Sequence, residues 1–327
     1  MSSTIHNVHP TAAIEGGRIA IEGSDFPVHE PVLPEVRIGD VPARVVYASA
    51  SRVDVLVPAG LEGGPMPVRI AGVTGATPVV DVAVPFARGL HQVDNPIFDR
   101  DDNLYVTYSG TRGQQVPVSI FRVRPNGTRE TFSSGIVNPT SMAIDPDGRL
   151  YVSSRFEGTV YRIAADGTAE PFATDLGVAC GLAFAPDGTL YVGDRSGTIF
   201  RVDRDGHAKT MATLPASVAA FHLALAPDGT LYVTGPTLGS YDALYRITPN
   251  GDVSVAYDRF GRPQGLAFDT SGRLHVVDAL AGASGVFRMA RDRDPELVVA
   301  GPALIGLAFS LSGTMVVASN DTAYRVR

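Results

Sequence analysis

With 327 residues the chain is long enough for more than one core, and its 35 glycines and 24 prolines point to strands and turns with little helix. A formal net charge of −7 without any Lys/Arg run excludes nucleic acid and an anionic membrane as partners, and no segment nears the ~20 apolar residues of a membrane span. One cysteine excludes an internal disulfide framework and a zinc site built from cysteines. The start, Met1-Ser-Ser-Thr-Ile-His6, has neither a basic nor an apolar leader region. The expectation is a soluble, cytoplasmic chain, with export left open should the natural chain carry a leader.

Residues 1–81 follow no long repeat. The runs Ile5 to Pro10, Ile19 to Phe26, Val36 to Gly39, Ala43 to Val46 and Val53 to Pro58 alternate apolar with polar residues, and Gly16-Gly17 supplies a turn. A small β-sandwich satisfies this pattern. The same residues resemble the IPT/TIG immunoglobulin-like family, with its early Pro10, the Gly-Gly pair, an xIxGxxF run ending at Phe26 and a later VxVP ending at Pro58. That resemblance implies a structural or adhesive module without chemistry. His6 and His9 lack partners in sequence and are expected on a solvated strand end.

Residues 82–327 repeat one unit six times, beginning at Asn95 (NPIFDRDDNLYV), Thr140 (TSMAIDPDGRLYV), Gly181 (GLAFAPDGTLYV), Phe221 (FHLALAPDGTLYV), Gln264 (QGLAFDTSGRLHV) and Ile305 (IGLAFSLSGTMVV). Counted between Asn103, Gly148, Gly188, Gly229, Gly272 and Gly313, the spacings are 45, 40, 41, 43 and 41, the length of a four-stranded propeller blade. Within a unit, Asp-Gly predicts a type I′ hairpin between the first two strands. A third strand follows as in Gly197-Thr-Ile-Phe-Arg-Val202, then a second Gly turn leads to a fourth; the fifth copy has Asp292-Arg-Asp294 there and no glycine. The sixth copy reaches only its third strand, Thr322 to Val326. Ala83 to Leu90 matches the fourth strand Ala169 to Leu176 and should complete that blade, removing two open edges. The fold expected is all-β: a six-bladed β-propeller closed by strand 83–90, preceded by an immunoglobulin-like β-sandwich.

The absence of tryptophan disfavours WD40. The pattern GLAFxxDGxLYVxD, over residues 83–327, resembles the NHL and SMP-30/gluconolactonase group of six-bladed propellers. In the lactonase branch this implies hydrolysis of a small sugar-type lactone or ester at the mouth of the central channel, with a divalent cation (Ca, Mn or Zn) held by a carboxylate and by Asn and Asp before later inner strands. Asp94-Asn-Pro-Ile-Phe98 keeps the carboxylate, so Asp94 is the metal ligand carried over. The other positions depart from the family: Cys180, Phe221 and Ile305 stand beside Asn95, Thr140 and Gln264, and the ligand set is incomplete.

The linkers after the second strands share a rim with these positions, because paired strands run antiparallel. They carry Arg112, Arg155, Asp194, Arg195, Tyr241, Asp242 and Asp278. With Asn95, Thr140 and Gln264 these are the ligand-binding candidates, and Asp94 with His222 the catalytic ones. The three arginines suit a carboxylate or phosphate, so the partner expected is a small polar or anionic molecule, with a protein partner also open. The same residues equally suit structural Asp–Arg pairs between blades. Cys180 beside His222 offers a nucleophile and base, or inert packing. Asp145-Pro-Asp147-Gly148 and Asn126-Gly-Thr128 read as turns, not as a calcium loop or a glycosylation site. Three functions remain open: a gluconolactonase-like hydrolase, a non-catalytic NHL-like binding propeller, and a metal-free lyase or isomerase using His222 as base.

Overall fold

The computed structural model describes residues 3–28, 32–279, 283–291 and 293–326. Every regular element among them is a strand, and no helix is long and apolar enough to cross a membrane. Asp292, which the repeat pattern singled out, lies outside the described residues.

The N-terminal domain follows from period-two burial. In Arg18–Ser24 and Arg52–Leu56, Ile19 pairs with Val55 and Ile21 with Val53, all fully buried. Val36, Ile38 and Val68 join them, and Phe26 packs into the same core. The strand Gly64–Ile70 breaks the usual strand signature with Pro65 and Pro67, yet pairs with Val36–Ile38 on one side and Val79–Val82 on the other.

The repeats form a propeller-like ring. Five four-stranded sheets stand separately, the last made of Leu304–Phe309, Met315–Ser319, Thr322–Val326 and Val84–Arg88. A six-bladed propeller was expected, and the five separate four-stranded sheets are a correction to that count. The fifth repeat forms no sheet of its own; its strands Pro263–Phe268, Leu274–Asp278, Gly285–Ala290 and Arg293–Ala300 end a twelve-stranded sheet that begins in the N-terminal domain. The junction is Ala12–Ala13, a two-residue strand lying parallel to both neighbours, with Ala12 opposite Asp81 and Val299, and Ala13 opposite Val82 and Ala300. Backbone hydrogen bonds therefore fix one domain on the other.

The innermost strands touch in a closed cycle: Ile97–Phe98, Pro139–Ile144, Ala179–Phe184, His222–Leu225, Pro263–Phe268, Leu304–Phe309, and back to the first. In the last sheet Val84–Arg88 pairs with Thr322–Val326, Ala87 opposite Ala323 and Pro85 opposite Tyr324. Two backbone bonds extend the seam, from Leu90 to Asp321 and from Gln92 to Asn320, and the Arg325 guanidinium covers the Phe86 ring at 3.8 Å.

The hairpins correct a second expectation. The Gly148 amide donates to the Asp145 carbonyl and the Asp145 amide to the Arg149 carbonyl, and only Gly148 has positive φ, at 87°. This is a type I turn followed by a left-handed glycine, not a type I′ pair. Pro146 presets the turn's second position, and the Asp145 carboxylate accepts from the Asp147 and Arg149 amides. In the first repeat the left-handed residue is Asp102 (φ 58°), one position before Asn103.

Neighbouring blades are stitched by inner-rim side chains. Ser153 Oγ donates to the Cys180 carbonyl, Ser141 Oγ accepts from the Leu182 amide, and Thr234 Oγ1 donates to the Gln264 carbonyl. Asn95 ties three repeats together: its Nδ2 donates to the Leu266 carbonyl (2.9 Å) and its Oδ1 accepts from the Leu307 amide (3.0 Å). A Cβ on Gly265 would stand 2.1 Å from that Oδ1, so the close approach requires glycine there. The side-chain capacity of Asn95 is thus directed into the ring, not toward a ligand.

Two stability outcomes are expected. A protein truncated to begin at Asp94 should aggregate and melt at least about 10 °C below one beginning at Val80, because it lacks the strand that seals the last sheet. Thermal unfolding with size-exclusion chromatography reads this, and equal behaviour of the two would show that the seam is dispensable. Asn95→Ala should cost about 1–3 kcal/mol in denaturant unfolding, since it strands a buried carbonyl and amide in separate blades; a smaller loss would place the stitching elsewhere.

Candidate functional site

At the mouth of the channel lies a cavity of roughly 400 Å³. Arg112, Arg155 and Arg195 line it, each from the linker after the second strand of its repeat, along with Gln264 and Cys180. Gln92, Asn138 and Asn320 add amides, and Val93, Phe156, Val178, Val218, Ala219, Ala220 and Ile305 supply apolar surface. None of the lining residues is acidic.

The three guanidiniums form no ion pair or side-chain hydrogen bond among the described residues. On the blade flanks Arg122 meets Glu130, Arg162 meets Glu170 and Arg288 meets Glu296 at 2.5–2.9 Å, while Arg100, Arg204 and Arg246 bond carbonyls or a hydroxyl. The half-buried Arg155 is pushed below its ordinary pKa, first by burial, with repulsion from Arg195 adding to the effect and Cys180 opposing it. Concentrated positive charge of this kind is relieved by a bound anion.

The expected Asp–Arg pairs between blades do not form at this rim. Asp194 accepts from the Val178 amide (2.7 Å) and the Ser196 hydroxyl, Asp242 from the amide and hydroxyl of Thr237 (2.8 and 2.6 Å), and Asp278 from the Gly261 and Arg262 amides (3.0 and 2.6 Å). All three carboxylates, expected to bind ligand, secure linker backbone and do not line the cavity. Thr140 is buried, with its hydroxyl on the Asn138 carbonyl, and Tyr241 is exposed outside the cavity lining.

Sequence reasoning passed over Asn138. Buried and at φ 49°, it donates through Nδ2 to the carbonyls of Ser109 (2.6 Å) and Thr111 (2.8 Å), and its Oδ1 accepts from the Gly113 amide (2.6 Å). It therefore clamps the loop that presents Arg112. A left-handed asparagine directly before Pro139 was the available signal.

Asp94 and His222 come together from well-separated repeats. Asp94 precedes the first inner strand and His222 opens the fourth, three steps away around the cycle in either direction. His222 Nδ1 lies 2.5 Å from Asp94 Oδ1, with the side chains 0% and 2% exposed. Because Oδ1 also accepts from the Asn95 amide (2.6 Å), Nδ1 is the donor, and Nε2 is left buried without a protein partner. Neither residue lines the cavity; Val93 and Ala220, close to them in sequence, do.

The residues do not fit the cation that the lactonase resemblance implies. Asp94 Oδ1 is already engaged by two donors and both amide atoms of Asn95 bond within the ring, so Asp94 Oδ2 is left at a rim whose matching positions include Cys180, Phe221 and Ile305, whereas a hard cation needs several oxygens. Among the described residues, the one group of three possible metal ligands is exposed Asp203, Asp205 and His207, far from this site in sequence, where Asp203 Oδ1 closes a turn onto the Asp205 and His207 amides. Cys180 is no nucleophile paired with His222. Burial pushes its thiol up to about 12, and the Nδ1 of His222 is taken by Asp94.

The IPT/TIG domain profile matches residues 3–81. No curated protein sequence matches the chain. Among solved structures, the chain resembles a gluconolactonase from Xanthomonas campestris at 16% identity and a TM-score of 0.58, covering 91% of this chain and 98% of that one. An auxiliary nutrient binding protein from Bacteroides ovatus has 14% identity and a TM-score of 0.57, covering 100% and 98%. A streptogramin B lyase has 14% identity and a TM-score of 0.54, covering 100% and 94%. A hydrolase, a binding protein and a lyase thus share this architecture, and at such identities the likeness shows the fold: a β-propeller joined to an IPT/TIG domain.

Proposed function

We propose that the protein binds a small organic anion, bearing a carboxylate or phosphate, at the channel mouth. The observation that carries this reading is the set of three arginines without carboxylate partners in one cavity that has no acidic lining. Each guanidinium offers a fork of donors matched to two oxygens of such a group, and Arg155 is partly desolvated, which strengthens a charge-assisted bond. Gln264, Asn320 and Asn138 stand beside the arginines in the same lining.

The Asp94–His222 pair favours a second reading, hydrolysis of a lactone or ester in the manner of a gluconolactonase but without the metal. With Nδ1 on Asp94, the buried Nε2 is the ring nitrogen left without a protein partner, and it would serve as base only where substrate and water reach it. The pair lies behind the cavity wall and does not line it, so binding remains the leading reading.

Isothermal titration calorimetry with inorganic phosphate and with acetate tests the first. Arg155→Ala should weaken the tighter of the two by about tenfold or more while shifting the melting temperature by less than about 2 °C. Wild-type protein that takes up neither anion would overturn the reading. For the second, hydrolysis of aldonolactones should proceed in EDTA and vanish in His222→Gln. A strict requirement for added Ca²⁺, Mn²⁺ or Zn²⁺ would eliminate it.

A further inference from the structure

The cavity sets exposed apolar side chains beside its guanidiniums, and this mixture says more about the ligand than charge alone. Phe156 is 54% exposed and Val218 40% exposed, although both line the cavity. Phe156 directly follows Arg155, and its ring rests on the loop that holds Arg112: a Cβ placed on Gly113 would stand 3.1 Å from the ring edge. One side of the ring is therefore seated and the rest is open. Val93, Val178 and Ile305 extend the apolar wall. Large apolar side chains left open beside a charged pocket are covered, when a ligand is bound, by its nonpolar part.

Resting on the anion-binding reading above, we infer that the natural ligand is an amphipathic organic acid: a carboxylate or phosphate held by Arg112, Arg155 and Arg195, with an apolar, ring-sized body lying on Phe156 and Val218. A volume near 400 Å³ accommodates a single ring with a short linker and its acidic group, and not a long acyl chain or a folded peptide. The carboxylate and phosphate forms share this chemistry, and matched probe pairs separate them.

Titration calorimetry on the full chain with phosphate against phenyl phosphate, and acetate against 3-phenylpropionate, provides the test. In at least one pair the ring-bearing member should bind about tenfold tighter or more, with a negative heat-capacity change from apolar burial. The tighter pair identifies the head group. Phe156→Ala should shrink that ratio to less than about threefold, and Phe156→Leu should restore part of it. Because the side chain is half in solvent, the melting temperature reports whether either variant is still folded. Equal affinity of both members of each pair, with Phe156→Ala indifferent, overturns this inference and leaves the anion site standing. Failure of all four probes to bind overturns both.

Discussion

The structure depends first on the antiparallel pairing of Val84–Arg88 with Thr322–Val326. A ring of sheets has no hydrophobic closure until its first and last members meet, and each unpaired strand would leave a ladder of amides and carbonyls open. Here the seam combines backbone bonds, buried Ala87 against Ala323, and the Asn320 side chain reaching the Gln92 carbonyl at 3.0 Å. Gln92 and Asn320 also line the mouth cavity, so the bond that closes the ring lies in the wall of the proposed binding site. Fold integrity and site geometry are linked at that point.

The charges at the mouth make sense only against those elsewhere. Acidic residues are plentiful in this chain, and several scaffold arginines have a glutamate or aspartate beside them, while others, such as Arg325 on Phe86, bond carbonyls or cover rings. At the mouth the aspartates bond backbone amides, Asp194 that of Val178, Asp242 that of Thr237 and Asp278 that of Arg262, and the guanidiniums are left uncompensated. Like charges in a half-desolvated cup repel one another, a cost in the unliganded protein that an incoming anion removes. The chain as a whole is negative, so this cluster of three arginines runs against its net charge.

Much of the ring was legible because repetition averages out local ambiguity. The unit recurs with the same apolar alternation, and the resemblance of residues 83–90 to 169–176 pointed to the closing strand. What escaped was set by interactions that leave no periodic mark. Ala12–Ala13 is too short to carry a strand pattern, yet it merges two domains into one sheet. The hairpin was mistyped because Asp-Gly suits two turn families, and the same turn forms at Asp269–Gly272 and Ser310–Gly313, where neither the proline nor the Asp-Gly pair is present. At the rim, polar residue type alone could not separate Asn95, spent on neighbouring blades, from Arg155, which faces the cavity. Asn138 and Gln92 went unnoticed because they come from linkers between blades, outside the linkers that follow the second strands.

The Asp94–His222 pair has a consequence for how the ring holds its shape. It joins repeats three steps apart, on opposite sides of the cycle, and both side chains are buried. The pair is thus a cross-tie inside a ring where the stitches of Ser141, Ser153 and Thr234 join adjacent blades, so loss of either partner leaves a buried polar group unpaired and frees two distant inner strands to move relative to each other.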